Sequence, residues 1–406
     1  MLKSYKYRLY PTEEQIILLN KHMGCVRWIY NYALNKKIQE YASSKKHLSR
    51  FDLQKDLPLL KKDEKTSWLG EVNSQSLQAT LKYLDGAFTK FFKEKKGFPK
   101  FKSKKTNKHS FPIPQNVYVD FDKQKLSIPK FKKDINIVID RKFYGEIRQA
   151  TITKVPSGKY FVSILVEINQ EEITTKTPDI KNAIGIDLGI KDFLIMSDGA
   201  KVSNPTFLKK SLQKLKREQR WFSRKQKDSK NREKQRVVVS RQHEYIANQR
   251  MDFLQKLSTK LVCDNQATTF CMENLSVKNM MKNHNLAQAI SDVSWSKFVE
   301  LMKYKCQWYG KNIIFIGKFE PSSKTCSDCG NIKRDLKLSD RTWTCANCGT
   351  EHDRDINAAN NILSFAFHEK NNIKIGQELP ELTSVEKVIP RKSRSSLKQK
   401  SLKVSG

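Results

Sequence analysis

Four cysteines in the C-terminal part of the chain have the spacing of metal ligands. Cys326 and Cys329 form one C-x2-C pair and, after fifteen residues, Cys345 and Cys348 form another. Each pair makes a tight turn that presents two thiolates to one ion, and four thiolates complete the tetrahedral shell of a structural Zn²⁺. The pattern therefore predicts a zinc ribbon. We expect the nearby His352 to lie at the surface rather than to bind the metal.

Three carboxylates stand where apolar strands end or a helix begins. Asp187 lies in GIDLGI, on the opposite strand face from Ile184 and Ile186, and Glu273 closes the apolar strand TTFCM. Asp355 opens a helix of small residues. Carboxylates at the ends of adjacent strands repel one another, and divalent cations relieve that repulsion. Two Mg²⁺ ions about 3.5–4 Å apart could clamp a phosphodiester, one activating water and the other stabilising the leaving oxygen.

Two aspartates in DRDINAAN compete for the third ligand position. Asp353 is placed to cap the helix that follows, by accepting the backbone N–H of Asp355 or Ile356. Asp355 then lies in the first helical turn, where the helix dipole favours the ionised form that a metal ligand needs. Ala358 and Ala359 would let this helix pack closely on the sheet that carries the other two acids. We therefore predict that Asp355 is the ligand and Asp353 the cap.

Composition favours a nucleic-acid partner. The chain has 406 residues, with 77 Lys and Arg against 42 Asp and Glu, a net charge of +35. Phosphate groups offset the self-repulsion of such a charge. The segment 209–241 alone holds 14 basic and 3 acidic residues, although a solvated helix face would look the same. A basic membrane-surface protein is disfavoured, because we find no lipidation motif, long apolar run or signal peptide.

Hydrophobic periodicity predicts an α/β protein of several domains. An alternating strand at 1–10 is followed by helices that end at Gly97, the first of them opened by a capping box of Thr12 and Gln15. A β-rich segment with a hairpin turn at 156–158 comes next. Further expected elements are a linker at 174–182, a strand–turn–strand at 182–199, helices at 207–260 and 291–309, and strands at 268–275 and 312–317.

The strand GIDLG also occurs in ATPases of the actin and chaperone type, where it grips phosphate and magnesium. Such proteins need further glycine-rich phosphate loops, and this chain has 15 glycines in total. The second strong acidic motif is MENL, which does not belong to that pattern. The ATPase interpretation is therefore disfavoured.

Seven motifs in order resemble those of TnpB proteins of bacterial insertion sequences, which are similar to the compact ancestors of type V CRISPR effectors. They are YRLYPTEEQ, GFPKFKSKK, GIDLGIKD, MENLSVKNM, KTCSDCG, CANCG and HDRDINAANNIL. The resemblance implies an RNase H-like (RuvC) nuclease domain with an inserted zinc ribbon, and an N-terminal β-barrel wedge interrupted by a helical recognition domain. The implied boundaries are 1–10 and 97–175 for the wedge, 11–96 for the helical domain, 180–318 and 353–368 for the nuclease, and 319–352 for the ribbon. The resemblance does not cover the last residues, 369–406, whose basic composition and lack of periodicity predict a disordered tail.

Carried over motif by motif, the resemblance implies that Asp187, Glu273 and Asp355 are the catalytic acids. It also implies a guide RNA transcribed from the end of the element, a short motif beside the target, and cleavage of double-stranded DNA. We expect one protein chain with one RNA in the cytoplasm of a bacterium or archaeon, with no membrane partner. Two alternatives remain: an RNA-guided DNA-binding regulator of transposition, and a transposase that joins DNA ends itself.

Overall fold

The computed structural model describes residues 1–368 except 106–108, 170–174, 176, 319 and 338. The predicted tail 369–406 and part of the predicted linker 174–182 lie outside the described residues. The described chain alternates helices with two large sheets and one small hairpin. None of its helices combines the length and the apolar character that a membrane crossing requires.

The first sheet is antiparallel and has seven strands: β1 (Leu2–Tyr10), β2 (His109–Ile113), β3 (Tyr118–Asp120), β4 (Lys125–Ser127), β5 (Ile135–Val138), β6 (Glu146–Lys154) and β7 (Tyr160–Glu167). Their order in the sheet is β2-β6-β7-β1-β5-β4-β3. The predicted strand at the N-terminus lies inside this sheet, between β7 and β5, and the predicted turn at 156–158 joins β6 to β7.

Three helices are inserted after β1: α1 (Glu13–Ser44), α2 (Arg50–Lys62) and α3 (Ser74–Lys93). The predicted capping box is confirmed, because the Thr12 hydroxyl accepts from the Gln15 N–H at 3.4 Å and the Gln15 side chain accepts from the Thr12 N–H at 3.0 Å. The helices and the first sheet share one hydrophobic core.

The predicted stop of α3 at Gly97 is wrong, since the helix already ends at Lys93. Lys95 adopts a left-handed φ of 50°, and the N–H of Lys96 donates to the carbonyl of Lys90 at 3.3 Å. A left-handed residue just after a helix turns the chain so that the following N–H groups can bond to the last carbonyls of that helix. The helix therefore terminates without a glycine.

The second sheet has five strands: β8 (Ala183–Asp187), β9 (Asp192–Met196), β10 (Lys201–Ser203), β11 (Thr269–Glu273) and β12 (Asn312–Ile316). Their order is β10-β9-β8-β11-β12. The strands β8, β11 and β12 run parallel, whereas β9 and β10 are antiparallel to their neighbours. The carboxyl ends of β8 and β11 therefore meet at one edge of the sheet.

Helices cover both faces of this sheet. The helices are α4 (Phe207–Arg224), α5 (Lys230–Thr259), α6 (Val277–Met280), α7 (His284–Val293), α8 (Trp295–Trp308) and α9 (Arg354–Phe367). On one face, Ile186 and Phe270 pack with Leu254 of α5 and Phe298 of α8. On the other face, Cys271 and Ile314 pack with Ile362 and Ala366 of α9. The helix predicted over 291–309 is divided at Ser294, whose φ is 60°.

The helix α9 approaches the sheet closely at Gly185. A Cβ atom at this position would lie 2.0 Å from the backbone oxygen of Ala359. Ala358 and Ala359 are both buried, as their small size predicts. The absence of a side chain at Gly185 thus sets the distance between α9 and β8.

Replacing Gly185 with Ala should destabilise the protein by about 1–3 kcal/mol, the usual cost of overpacking a rigid contact. The clash is with backbone, which cannot rotate away as a flexible side chain would. Gly86→Ala in α3 is a matched control, because no atom lies within 4 Å of its added Cβ and alanine favours a helix. Thermal melting of both variants checks the prediction, and equal melting temperatures would contradict it.

Candidate active site and zinc ribbon

Asp187 and Glu273 occupy equivalent places on neighbouring parallel strands. Ile186 pairs with Met272 in the ladder, and the two acids follow these residues directly. Because side chains alternate along a strand, Asp187 lies on the same face as Gly185, and Glu273 on the same face as Cys271. That face is the one covered by α9. Both acids therefore lie at one sheet edge, on the side of the helix that begins near Asp355.

The helix α9 brings the third acid to this edge. Asp353 is its N-cap, and one of its carboxylate oxygens accepts the backbone N–H groups of Asp355 at 3.0 Å and Ile356 at 3.1 Å. The predicted cap is thus confirmed. The other oxygen of Asp353 pairs with Lys201 at 2.6 Å, and Asp355 lies in the first turn, 3.4 Å from Arg341.

The three acids influence one another electrostatically. Burial, together with the charges of Glu273 and Asp355, raises the pKa of Asp187 to about 7. The Leu188 N–H and the Arg354 charge act in the opposite direction without cancelling the shift. A divalent cation among the carboxylates would instead lower the pKa of Asp187, since it favours the charged form of each carboxylate. The donor set, three carboxylates, is the chemistry that Mg²⁺ prefers.

The four predicted zinc ligands converge on one point. Their sulfur atoms all lie within 4.8 Å of one another, with 3.6 Å from Cys326 to Cys348 and 3.5 Å from Cys329 to Cys345. In each knuckle a glycine at φ 76° follows the second cysteine, at Gly330 or Gly349. Its N–H donates to the carbonyl of the first cysteine of the pair. This cluster suits a structural zinc ion.

Backbone donors and burial act differently on two of these thiols. The N–H groups of Cys348 and Asn347 lower the pKa of Cys345 to about 6, which favours the thiolate. Burial raises the pKa of Cys326 to about 12 in the metal-free chain. A bound cation overrides that effect, because a coordinating thiol is deprotonated. A zinc ion held by the four sulfur atoms would therefore favour the thiolate form of Cys326.

The surface position predicted for His352 is wrong. The side chain is buried, with its Nε2 atom 3.0 Å from the Cys326 sulfur and its ring 4.7 Å from that of Trp343. Both residues belong to the hairpin of β13 (Thr342–Thr344) and β14 (Glu351–Asp353), where they are directly paired. Trp343 packs on the ribbon as expected, and His352 extends that small core beside the metal site.

A polar network that was not predicted from the sequence joins the ribbon segment to Glu273 and to α9. The Ser322 hydroxyl donates to the Glu273 carboxylate at 2.5 Å. Asn361 of α9 donates to the carbonyls of Ser322 at 2.7 Å and Thr325 at 2.6 Å, and Asn357 donates to Thr325 at 2.7 Å. Both asparagines are buried. Two asparagines four residues apart on the apolar face of a helix were the available signal.

Comparison with known proteins places the chain in a family. A family model described as "Probable transposase" matches residues 163–284, a Cas12f1-like TNB domain model matches 295–362, and a helix-turn-helix model matches 1–46. A protein of Streptomyces pristinaespiralis named as an RNA-guided DNA endonuclease is 38% identical over 364 residues, which cover 89% of each chain. The chain belongs to the TnpB (OrfB) family.

A second relative has a lower sequence identity but aligns over a similar share of the chain. InsQ of Escherichia coli K12, also named as an RNA-guided DNA endonuclease, is 29% identical and aligns over 89% of this chain and 92% of its own. In this TnpB-family chain, the segment matched by the helix-turn-helix model forms a strand and one long helix, α1.

Two solved structures cover most of the chain at low similarity. One is the Cas12f1–sgRNA–target DNA complex, with 16% identity, a TM-score of 0.36, and coverage of 91% of this chain and 99% of its own. The other is the mini-RNA-guided endonuclease CRISPR-Cas_phi3, with 10% identity, a TM-score of 0.45, and coverage of 90% and 92%.

The two aspartates of α9 should respond differently to truncation. Asp355→Ala should weaken Mn²⁺ binding, measured by titration calorimetry, with little change in melting temperature. Asp353→Ala should lower the free energy of unfolding by about 1 kcal/mol, the usual effect of removing an N-cap, and retain Mn²⁺ binding. The reverse pattern would mean that the cap residue is the ligand.

Replacing Cys345 with Ser should remove one thiolate and release the zinc. Metal analysis should find about one zinc per chain in the parent and less in the variant. Far-ultraviolet circular dichroism should stay close to that of the parent, because both large sheets have cores of their own. Cys263→Ser, at an exposed cysteine outside the cluster, is the matched control and should keep its zinc. Full zinc content in Cys345→Ser would contradict the ligand assignment.

Proposed function

We propose that the chain is an RNA-guided DNA endonuclease whose nuclease centre is formed by Asp187, Glu273 and Asp355. One observation carries the proposal. The charges of Glu273 and Asp355 act on Asp187 at the same sheet edge and, together with burial, raise its pKa to about 7. Relatives aligned over most of the chain bear the name RNA-guided DNA endonuclease, which supports the same reaction.

The domain organisation is proposed from the sheets and their insertions. A mixed five-stranded sheet with α9 on one face and α5 and α8 on the other is consistent with an RNase H-like (RuvC) domain. The four-cysteine cluster suits a zinc ribbon inserted before α9. The proposed units are a wedge of 1–10 and 97–175, a helical recognition domain of 11–96, a nuclease of 180–318 and 353–368, and a ribbon of 319–352.

The three carboxylates would hold two Mg²⁺ ions. When bound, such ions activate water and stabilise the leaving oxygen of a phosphodiester. The chain's own residues supply the positioning. Asp353 fixes the start of α9, and with it the place of Asp355, while the Ser322 hydroxyl restrains the Glu273 carboxylate. Since the pKa of Asp187 is about 7 without metal, cation binding should strengthen as the pH rises through neutrality.

The partners follow from charge as well as from the family. The helices α4 and α5 carry the predicted basic excess of 209–241, and most of their basic residues are exposed. The start of α4 is held by Asp292, which accepts the N–H groups of Leu208 and Lys209 at 3.0 and 3.3 Å and pairs with Arg250 of α5 at 2.8 Å. We propose that this hairpin contacts the phosphates of a guide RNA or of its duplex with target DNA, in a complex of one chain and one RNA in the cytoplasm.

The decisive experiment separates cutting from binding. The protein is purified with its RNA, and supercoiled plasmid carrying the matching target is incubated with Mg²⁺. The parent should produce linear DNA, while Asp187→Asn should cut at least about a hundred-fold more slowly, because a ligand of the metal centre is lost. Gel-shift binding of target DNA should persist in both.

Asp198→Asn is the matched control, since this aspartate lies in the exposed turn between β9 and β10 and should leave cutting unchanged. A parent that binds target without cutting would indicate a regulator instead. Products in which DNA ends are joined to a new site would indicate a transposase.

A further inference from the structure

A cavity of about 510 Å³ lies in the helical segment, far along the chain from the carboxylates. It is bounded by the second half of α1, the turn after it, the end of α3 and the residue Phe98. Six of the residues that line it carry aromatic rings: Tyr41, His47, Phe88, Phe91, Phe92 and Phe98. Nothing in the nuclease proposal uses these rings.

The rings form a connected cluster that leaves several surfaces uncovered. Phe98 meets Phe88 and Phe91 edge-on at 5.5 and 5.3 Å, and His47 meets Phe92 edge-on at 6.4 Å. Yet Phe92 remains 63% exposed, Tyr41 48% and Phe98 46%. Three large aromatic side chains exposed around one cavity form an apolar patch that a partner would cover.

Lysines surround the opening. Lys37 is occupied inside the protein, because its ammonium pairs with Asp85 at 3.0 Å and donates to the Leu48 carbonyl at 2.5 Å. Lys46 and Lys93 also line the cavity. The charge of Lys46 acts on Asp52, and among the described residues no carboxylate forms an ion pair with Lys93. A fitting ligand therefore presents a flat apolar surface to the rings and a negative charge to the rim.

We propose that this cavity receives an unpaired nucleotide of the guide RNA, its base stacked on Phe92 and its phosphate near Lys93. Aromatic rings with neighbouring cations are the usual means of holding single-stranded nucleic acid. RNA loops and bulges offer splayed bases, whereas base-paired target DNA does not. The proposal rests on the RNA-guided function and adds a base-binding site to it.

The test compares two substitutions with a matched control. The probe is the RNA that copurifies with the chain, resynthesised and titrated onto RNA-free protein at several salt concentrations. Phe92→Leu keeps the apolar bulk but removes the ring, and should weaken binding about ten-fold with an unchanged salt dependence. Lys93→Gln should also weaken binding and lower the salt slope by about one. Phe51→Leu, at a ring 59% exposed in α2 outside the cavity, should bind as the parent does.

The outcomes distinguish this proposal from the one on which it rests. If the parent protein binds no RNA, the RNA-guided function fails first. If the parent binds but Phe92→Leu and Lys93→Gln match it, the guide RNA does not occupy the cavity. If both variants bind RNA normally but lose affinity for single-stranded DNA or for an acidic peptide, the occupant is that other ligand and the proposal is overturned. Melting temperatures confirm folding, and Lys93→Gln remains a valid test should Phe92→Leu fail to fold.

Discussion

Three carboxylates held at one edge of a sheet repel one another, and the surrounding structure has to hold them there. The parallel ladder of β8 and β11 places Asp187 beside Glu273, and the missing side chain of Gly185 admits α9 closely enough to bring Asp355 toward them. The cap at Asp353 then fixes where that helix begins. At this edge the charges of Glu273 and Asp355 contribute, after burial, to the raised pKa of Asp187.

Local sequence signals predicted those features that depend on neighbouring residues. The capping box of α1, the alternation of β1, the N-cap of α9 and the two cysteine pairs follow from spacing within a few positions. The three acids could be named because strands and helix starts are recognisable in the sequence. That they share one edge was inferred from those strand ends, but it depends on β8 and β11 being parallel neighbours in the sheet, and the residues alone do not specify the strand order.

Features that depend on distant partners were not predictable in this way. His352 looked like a surface residue because its neighbours in sequence are polar, but the β13–β14 hairpin turns it inward onto Trp343. The role of Asn357 and Asn361 is to bind carbonyl groups about thirty or more residues earlier in the chain. The early end of α3 and the break at Ser294 coincide with residues other than glycine in the left-handed backbone conformation, Lys95 and Ser294. This conformation is unfavourable for residues with a side chain, so their residue types did not predict it.

The hydrogen bond from Ser322 to Glu273 links the ribbon segment to a carboxylate outside it. Ser322 lies just ahead of Cys326, so one short segment contacts Glu273 and α9 and also leads into the four-cysteine cluster. A newly made chain that has not acquired zinc would hold Glu273 less firmly. The four-cysteine cluster would then stabilise the position of a carboxylate outside the ribbon as well as the ribbon itself.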